Sequence, residues 1–275
     1  MRNVGEELKP YELSRSVFFP GHAVYGFYIG VSSEALFRPG VLVKIANVFS
    51  SRGIPIVCLK IPRTEEYRPI NMLIFVDLTD KEEDADVLVA QLSKLKFITC
   101  VELIRPISDG FVAYDGFLPL TVFGERAIIL RKPLYAAFVK NLYEKLGWGA
   151  RAFLYYVGLE MGRNAYRDLK RLFGGDRVRL LKIAEALFIQ AGFGILKIVD
   201  IDFDEMKAVI RIYHSFECEL YKRSDKATSH LIRGTIAGWL SELFQRDVFI
   251  EEVKCIAKGD PYCEFKARKK EDEEE

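Results

Sequence analysis

The sequence has few histidines, no excess of charge of one sign and no long apolar run, and each of these features argues against a class of protein. Only three of its 275 residues are histidine, and 40 Lys and Arg balance 39 Asp and Glu, giving a formal net charge of +1. This balance disfavours a nucleic-acid-binding protein, because a phosphate backbone requires a basic surface. No apolar run reaches the roughly 18 residues that a membrane-spanning helix needs. Residues 1–10 lack the apolar core of a signal peptide, so we expect a cytoplasmic protein without a membrane span.

The five cysteines are expected to stay reduced, because the sequence shows no secretion signal. Cys58 and Cys100 lie in apolar, strand-like runs, where cysteine usually serves as a small buried hydrophobe. Cys218, Cys255 and Cys263 lie in more polar surroundings and are the candidates for chemistry. Half of the residues are hydrophobic, enough for a sizeable core. At about 150 residues per domain, the length predicts two domains.

The first half of the chain predicts an α+β fold of the ferredoxin-like type, with the order β-α-β-β-α-β. Apolar runs predict strands at 22–32, 54–61, 70–78 and 97–104, and helical spacing of apolar residues predicts helices at 41–52 and 80–96. Asp80 is the expected N-cap of the second helix, with Glu83 as its capping-box partner.

The turn Arg38-Pro39-Gly40-Val41-Leu42 joins the first predicted strand to the first helix. It resembles the Pro-Gly-Val-Leu turn of ACT domains, small regulatory modules that often bind amino acids. The resemblance implies an ACT-like domain over residues 21–108, after an N-terminal extension, 1–20, that can include an edge strand. An acidic residue often precedes this turn in the family, whereas Ala35-Leu36-Phe37 is apolar, so the sequence predicts no particular effector.

The second half predicts a mixed α/β domain over residues 109–267 and a charged tail, 268–275, that we expect to be disordered. Periodicity predicts helices at 133–146, 148–173, 176–191 and 228–244, and strands at 126–130, 194–202, 207–216, 248–255 and 262–267. The last two strands form a hairpin. Gly234 and Gly238, one helical turn apart, are expected to let two helices pack closely.

Three stretches of this half match one known family: Tyr156-Val-Gly-Leu-Glu160-Met-Gly162, Ser229-His-Leu-Ile-Arg-Gly234-Thr-Ile-Ala-Gly238 and Glu252-Val-Lys-Cys255-Ile-Ala-Lys-Gly259-Asp-Pro-Tyr-Cys263-Glu-Phe. They resemble the 4-vinyl-reductase-type (4VR) domain over about residues 120–267. The last stretch is the most specific, because a Glu, two Cys and a Gly-Asp turn rarely combine by chance. The resemblance implies a fold similar to the small subunits of the TRAPP vesicle-tethering complex. It also implies a small-molecule-sensing module and does not by itself imply reductase chemistry.

A zinc site is the sharpest chemical hypothesis. Cys255 and Cys263 bracket a turn, 258–261, and a hairpin would bring their thiolates close enough to share one metal ion. The resemblance implies that Glu252, on the strand before the turn, adds an oxygen. The alternatives are a cross-strand disulfide between the two cysteines or two reduced thiols.

A closed zinc site needs a fourth ligand. Relatives often supply a cysteine at the position of Ser229, and serine is a poor zinc ligand. His230, the next residue, and Cys218 are the two candidate replacements.

The helices also carry aromatic residues mixed with small ones, which leaves room for a small apolar or aromatic ligand. These aromatics are Tyr135, Phe138, Tyr143, Trp148, Phe153, Tyr155, Tyr156 and Tyr166. Aromatics on helices usually fill the core, so the lining of such a pocket stays open. We find no nucleophile motif, phosphate loop or dinucleotide fingerprint, so no catalytic residue is predicted and the protein is not expected to be an enzyme.

Together these features predict a cytoplasmic, ligand-sensing regulatory protein that binds its ligand in the 4VR domain and carries a structural zinc. Both resembled families commonly associate through sheet edges or helices, so we expect a homodimer. With no output domain in the sequence, a signal would pass to a separate protein. The alternative is a TRAPP-like interaction scaffold without an exchangeable ligand.

Overall fold

The structure, a computed structural model, describes residues 8–13, 15–35, 38–62, 70–221 and 223–271. Its contacts divide the chain into two compact units, one spanning Leu8–Ile128 and the other starting at Ile129. Residues 36 and 37, which precede the predicted ACT-like turn, the start of the predicted extension (1–7) and the end of the predicted tail (272–275) lie outside the described residues. In the described part of the chain, no helix combines the length and the hydropathy needed to cross a membrane.

The first unit confirms the β-α-β-β-α-β order. Its elements are β1 (Ser16–Phe18), β2 (Val24–Val31), α1 (Val41–Ser50), β3 (Ile56–Lys60), β4 (Ile70–Asp77), α2 (Asp84–Ser93), β5 (Ile98–Ile104), β6 (Phe111–Ala113), β7 (Thr121–Val122) and β8 (Glu125–Arg126). Strands β3-β4-β2-β5 form one antiparallel sheet, in that order. This is the strand order of a ferredoxin-like fold, because each helix crosses over one intervening strand.

The core of this unit lies between the two helices and one face of the sheet. Phe27 of β2 and Phe49 of α1 are fully buried and pack edge to face, with ring centroids 5.5 Å apart. Leu88 and Leu92 of α2 are also fully buried in this cluster. Each such side chain contributes roughly 1.5–3 kcal/mol of transfer free energy.

Three predictions for this unit are wrong in detail. Asp80 does not cap α2: its φ of 63° places it in a left-handed turn, and the helix begins four residues later, at Asp84, with Glu83 as its N-cap. Of the predicted strand 126–130, only Arg126 is in a strand, β8, which pairs with β7. The apolar residues that follow are exposed, with Ile128 at 80%. Cys100 is exposed rather than buried, since it points away from the helices on an edge strand, and Cys58 is only half-buried.

The second unit contains α3 (Lys132–Ala136) and α4 (Leu142–Leu146), joined by a π-helical segment (Ala137–Asn141), then α5 (Trp148–Phe173), α6 (Arg177–Gln190), β9 (Ile195–Asp202), β10 (Lys207–Tyr213), α7 (His230–Phe244), β11 (Val248–Lys254) and β12 (Cys263–Lys269). The strands form a four-stranded antiparallel sheet in the order β11-β12-β10-β9. The mixed α/β fold class predicted for this half is therefore confirmed.

Helices α5 and α7 pack backbone against backbone. A Cβ atom at Gly234 would lie 2.1 Å from the carbonyl oxygen of Tyr155, and one at Gly238 would lie 1.9 Å from that of Leu159. Real Cβ atoms do not approach so closely, so only glycine fits at either position. This is the close helix packing that the glycine spacing predicts.

Several boundaries in this unit differ from the prediction, among them the end of β10, at Tyr213 rather than Phe216. Strand β12 continues through Arg268 and Lys269, which pair with Phe249 and Val248 of β11, so the hairpin is longer than expected and the charged tail starts later. Helix α7 begins at His230 rather than Thr228, because the backbone of Ser229, the N-cap residue, has a ψ of 59° and is not helical. Its side chain bonds to Glu252 and makes no capping bond to the helix.

Candidate metal centre and ligand cleft

Four potential metal ligands meet where β11, β12 and a short turn come together. Cys218 lies on the 3-10 turn Cys218–Leu220, Glu252 on β11, Cys255 directly after β11, and Cys263 at the start of β12. Their ligand atoms all lie within 4.8 Å of one another. The three thiols are fully buried and none forms a disulfide, so the alternative of a Cys255–Cys263 disulfide is not what the structure shows.

The hairpin turn that carries two of these cysteines is held by its own hydrogen bonds. The backbone N–H of Cys255 donates to Oδ2 of Asp260 at 2.8 Å, and that of Ile256 donates to the sulfur of Cys263 at 3.4 Å. Gly259 has a φ of 102°, a left-handed conformation that closes the turn. The Gly-Asp pair of the sequence motif therefore fixes the backbone that presents the two thiols.

The spacing of the donor atoms fits a zinc ion. The sulfur of Cys218 lies 3.3 Å from that of Cys263 and 3.6 Å from that of Cys255. In a tetrahedral site with metal–sulfur bonds of ~2.3 Å, ligand sulfurs are about 3.8 Å apart. Three thiols with one carboxylate is a donor set that suits zinc, because thiolates select soft or borderline metals.

Ser229 lies beside this cluster and forms hydrogen bonds with its members. Its hydroxyl donates to Oε1 of Glu252 at 2.7 Å, and its backbone N–H donates to Oε2 at 3.3 Å. The same hydroxyl oxygen lies 2.9 Å from the sulfur of Cys218. Ser229 thus orients the carboxylate and contacts the thiol, which is the supporting role that second-shell residues have at metal sites.

The acidic groups of the cluster are buried close together, so a bound positive charge would stabilise their ionised forms. Burial, followed by the nearby Cys255 thiolate, raises the pKa of Glu252 to about 9. Hydrogen bonds from Cys218 and Cys263 lower the pKa of Cys255, while the hydrogen bond to Cys255 raises the pKa of Cys218 to about 12. Among the described residues no Lys or Arg forms an ion pair with Glu252. A bound dication would offset these charges and reverse the shifts.

Glu217 holds the start of α7 in place. Its carboxylate is completely buried and accepts hydrogen bonds from the backbone N–H groups of Leu231 and Ile232, at 3.0 and 2.9 Å. It therefore caps the first turn of α7 from a distant part of the sequence. Burial raises the pKa of Glu217 to about 7. Because Cys218 follows directly, this cap also positions the thiol.

A cleft of about 560 Å³ opens next to the cluster, between the start of α5, the start of α7 and β11. Its aromatic lining comes from Trp148, Tyr155, Tyr156 and Phe249, and its positive charges come from Arg151, Lys226 and Arg233. Glu252 lines this cleft as well as belonging to the cluster. The volume is typical of sites for small molecules.

His230 lies in the cleft and not among the ligand atoms of the cluster. As the first residue of α7 it directs its ring towards Tyr143, with ring centroids 6.1 Å apart. Burial, followed by repulsion from Arg233 and Arg151, lowers its pKa to about 4. Of the two replacements considered for the missing cysteine, the structure therefore brings Cys218 into the cluster and leaves His230 outside.

The aromatic residues named from the sequence occupy different places: some lie in the core, some line the cleft, and Phe138 and Phe153 are exposed outside the cleft. Tyr135 and Tyr166 are buried in the core, whereas Trp148 and Tyr156 are 74% and 64% exposed on the cleft. Sequence reasoning did not find Arg151, Lys226 or Arg233, although helical spacing places Arg151 one turn before Tyr155.

Comparison with known proteins gives a match that lies on this site. Residues 208–269 match the V4R domain. The matched segment runs from β10 to the end of β12 and includes all four candidate ligands. It confirms the 4-vinyl-reductase-type resemblance of the sequence, over the part of the chain that it covers.

An uncharacterized protein of Methanocaldococcus jannaschii, MJ0150, is 31% identical to the chain over 119 residues, which is 43% of this chain and 65% of that protein. The chain therefore spans slightly less than two thirds of the length of this relative. Among solved structures, the phenol-responsive sensory domain of the transcription activator PoxR is 20% identical, with 53% of this chain and 77% of that chain covered and a TM-score of 0.48. A vinyl-4-reductase family protein from Methanocaldococcus jannaschii is 19% identical, with 53% and 85% covered and a TM-score of 0.39.

Proposed function

We propose that the second unit is a small-molecule-binding sensor module whose ligand cleft is coupled to a structural zinc centre. The observation that carries the proposal is the double position of Glu252, which lines the cleft and is also a candidate zinc ligand. A molecule in the cleft would act on the metal centre through this one side chain. The V4R match over the same residues supports this function.

The zinc would be held by Cys218, Cys255, Cys263 and Glu252. When bound, it would neutralise the buried thiolates and carboxylate and cross-link three segments of the chain. Four protein ligands complete a tetrahedral site, which is the arrangement of structural zinc rather than catalytic zinc. We therefore assign binding and regulation to the module, and no reaction.

The ligand we propose is a small aromatic molecule, because Trp148 and Tyr156 present exposed ring surfaces at the cleft. Binding would shift the packing of the module or of a homodimer. The signal would pass to a separate protein in the cytoplasm. The first unit would serve as an ACT-like regulatory domain over residues 21–108.

The test is a thermal-shift series on the full-length, zinc-loaded protein with 2-naphthol, 2-naphthamide and 2-naphthoate. At 100 times its Kd, a ligand stabilises the folded state by about 2.7 kcal/mol, so at least one compound should raise the Tm by about 5–10 °C. Trp148→Ala should weaken that effect. If none of the three changes the Tm, the sensor function is contradicted and the scaffold alternative is favoured.

A further inference from the structure

Besides its aromatic residues, the cleft is lined by three positively charged side chains. Helix α5 carries four arginines, and three of them have carboxylate partners: Arg163 pairs with Asp247 and Glu160, Arg167 with Glu242, and Arg171 with Asp168. Arg151, the one that lines the cleft, forms no ion pair with any described residue. The same holds for Lys226 and Arg233, the other two cations of the cleft.

Aromatic rings hold these cations in place instead of carboxylates. The guanidinium carbon of Arg151 lies 4.4 Å from the ring centroid of Trp148 and 4.7 Å from that of Tyr143. The guanidinium of Arg233 lies 4.8 Å from the ring centroid of Tyr155. Such contacts fix the direction of a cation and leave its charge uncompensated.

Arg151 also has an unused hydrogen-bond donor. One terminal nitrogen donates to the hydroxyl of Tyr143, but Nε is buried and has no hydrogen-bond partner within the described residues. A buried N–H without an acceptor is costly, and nearly all such groups in folded proteins are satisfied. An acceptor brought by a ligand would satisfy it.

The carboxylates of the cleft do not cancel this positive charge. Both oxygens of Glu252 are engaged by Ser229 at the cluster, and Glu251 is exposed. His230, between the cations, adds no charge of its own near neutral pH, because burial and both arginines lower its pKa. Three cations and two carboxylates therefore line the cleft, which leaves it a formal charge of +1.

We propose that the cleft binds an aromatic anion, a planar ring that carries a carboxylate. The ring packs on Trp148 and Tyr156, and the carboxylate accepts hydrogen bonds from Arg151 and Arg233, whose planar guanidinium groups match it. The inference rests on the proposed function and specifies its ligand class. A cleft of about 560 Å³ holds a molecule of this size and not a polymer.

The test compares two probes of nearly the same shape, 2-naphthoate and its neutral amide 2-naphthamide, by isothermal titration calorimetry on the full-length, zinc-loaded protein. We expect 2-naphthoate to bind at least tenfold more tightly and this preference to shrink as salt is raised. Arg233→Gln and Arg151→Gln should each lose at least tenfold in affinity for 2-naphthoate and little for the amide. Lys182→Gln removes one exposed positive charge of α6 outside the cleft and should change neither affinity.

Each outcome separates this inference from the function on which it rests. Equal binding of the two probes, or tighter binding of the amide, overturns the anion specificity and leaves a sensor for neutral aromatic molecules. Binding of 2-naphthoate that neither arginine variant weakens also overturns it, because the anion then binds elsewhere. Absence of binding by both probes contradicts the inference and the proposed function together. Zinc content and Tm, measured for each variant, show whether a loss of affinity reflects the cleft or the fold.

Discussion

The sulfur of Cys218 lies 2.9 Å from the hydroxyl oxygen of Ser229. Ser229 occupies the position at which the family resemblance implies a cysteine ligand. The third thiol of the cluster is therefore supplied by a different segment of the chain, the 3-10 turn before α7, and it reaches nearly the same point in space. The centre keeps three sulfurs and one carboxylate although the motif lacks one cysteine.

Because the thiol comes from position 218 instead of 229, we expect a cysteine at position 229 to restore the zinc affinity that a Cys218 variant loses. Cys218→Ser should lower zinc affinity at least about 100-fold, since even second-shell changes cost 10–100-fold. Adding Ser229→Cys to that variant should restore most of the affinity, because the hydroxyl of Ser229 already lies 2.7 Å from Glu252 and 3.8 Å from the sulfur of Cys263. Competition with a chromophoric chelator measures both affinities. A double variant no better than Cys218→Ser would show that position 229 does not face the metal.

The contribution of the metal to stability is a separate prediction. Cys263→Ala removes a fully buried ligand, and we expect a loss of about 3–5 kcal/mol, which lowers the Tm of the unit by about 10 °C. Differential scanning calorimetry with and without a chelator measures it. Cys58→Ala, in the other unit, is the control and should leave zinc content and the second unit's melting unchanged. A Cys263→Ala variant that melts like the wild type would argue against a structural metal.

The contact between α5 and α7 gives a prediction that is independent of the metal. Gly238→Ala places a Cβ atom 1.9 Å from a backbone oxygen of α5 and should destabilise the protein by about 3 kcal/mol or more, because neither helix backbone can yield cheaply. Gly149→Ala, near the start of α5, meets no atom within 4 Å and should be neutral or stabilising by up to about 1 kcal/mol. Urea denaturation of the two variants measures the difference, and equal effects would contradict the packing described.

His230 should make stability depend on pH. Its pKa is lowered to about 4 from 6.5, so the unfolded chain binds a proton first as the pH falls. The stabilising effect of the neutral ring is complete above pH 6.5 and is lost as the pH falls towards 4, by up to about 3 kcal/mol. Metal loss also weakens the protein in acid, so the test subtracts the pH profile of His230→Gln from that of the wild type. Parallel profiles would contradict the low pKa.

The sequence could predict the helices that have clear end signals. The bounds of α5, Trp148–Phe173, follow from Gly147 and Gly174 on either side. The strand expected over 126–130 failed because only Arg126 pairs with another strand, and the apolar residues 128–130 are exposed. Local pattern does not reveal the presence of a partner strand.

The site could be predicted only in part for a similar reason. Glu252, Cys255 and Cys263 lie on one hairpin, so their proximity follows from local spacing. Cys218 and His230 were equal candidates in the sequence, because the choice depends on how the segment before α7 folds back, and that depends on the distant cap formed by Glu217. The cations of the cleft come from α5, α7 and the segment before α7, so only the folded arrangement brings them together.

The zinc centre is the central claim, and mass spectrometry tests it most directly. Native and denaturing spectra of the full-length protein, purified without added metal under reducing conditions, should differ by the mass of one zinc ion per chain. Cys218→Ser should lose that excess mass and Ser229→Cys should restore it in the double variant. A native spectrum that shows only the bare protein mass, as the denaturing spectrum does, would contradict the metal centre.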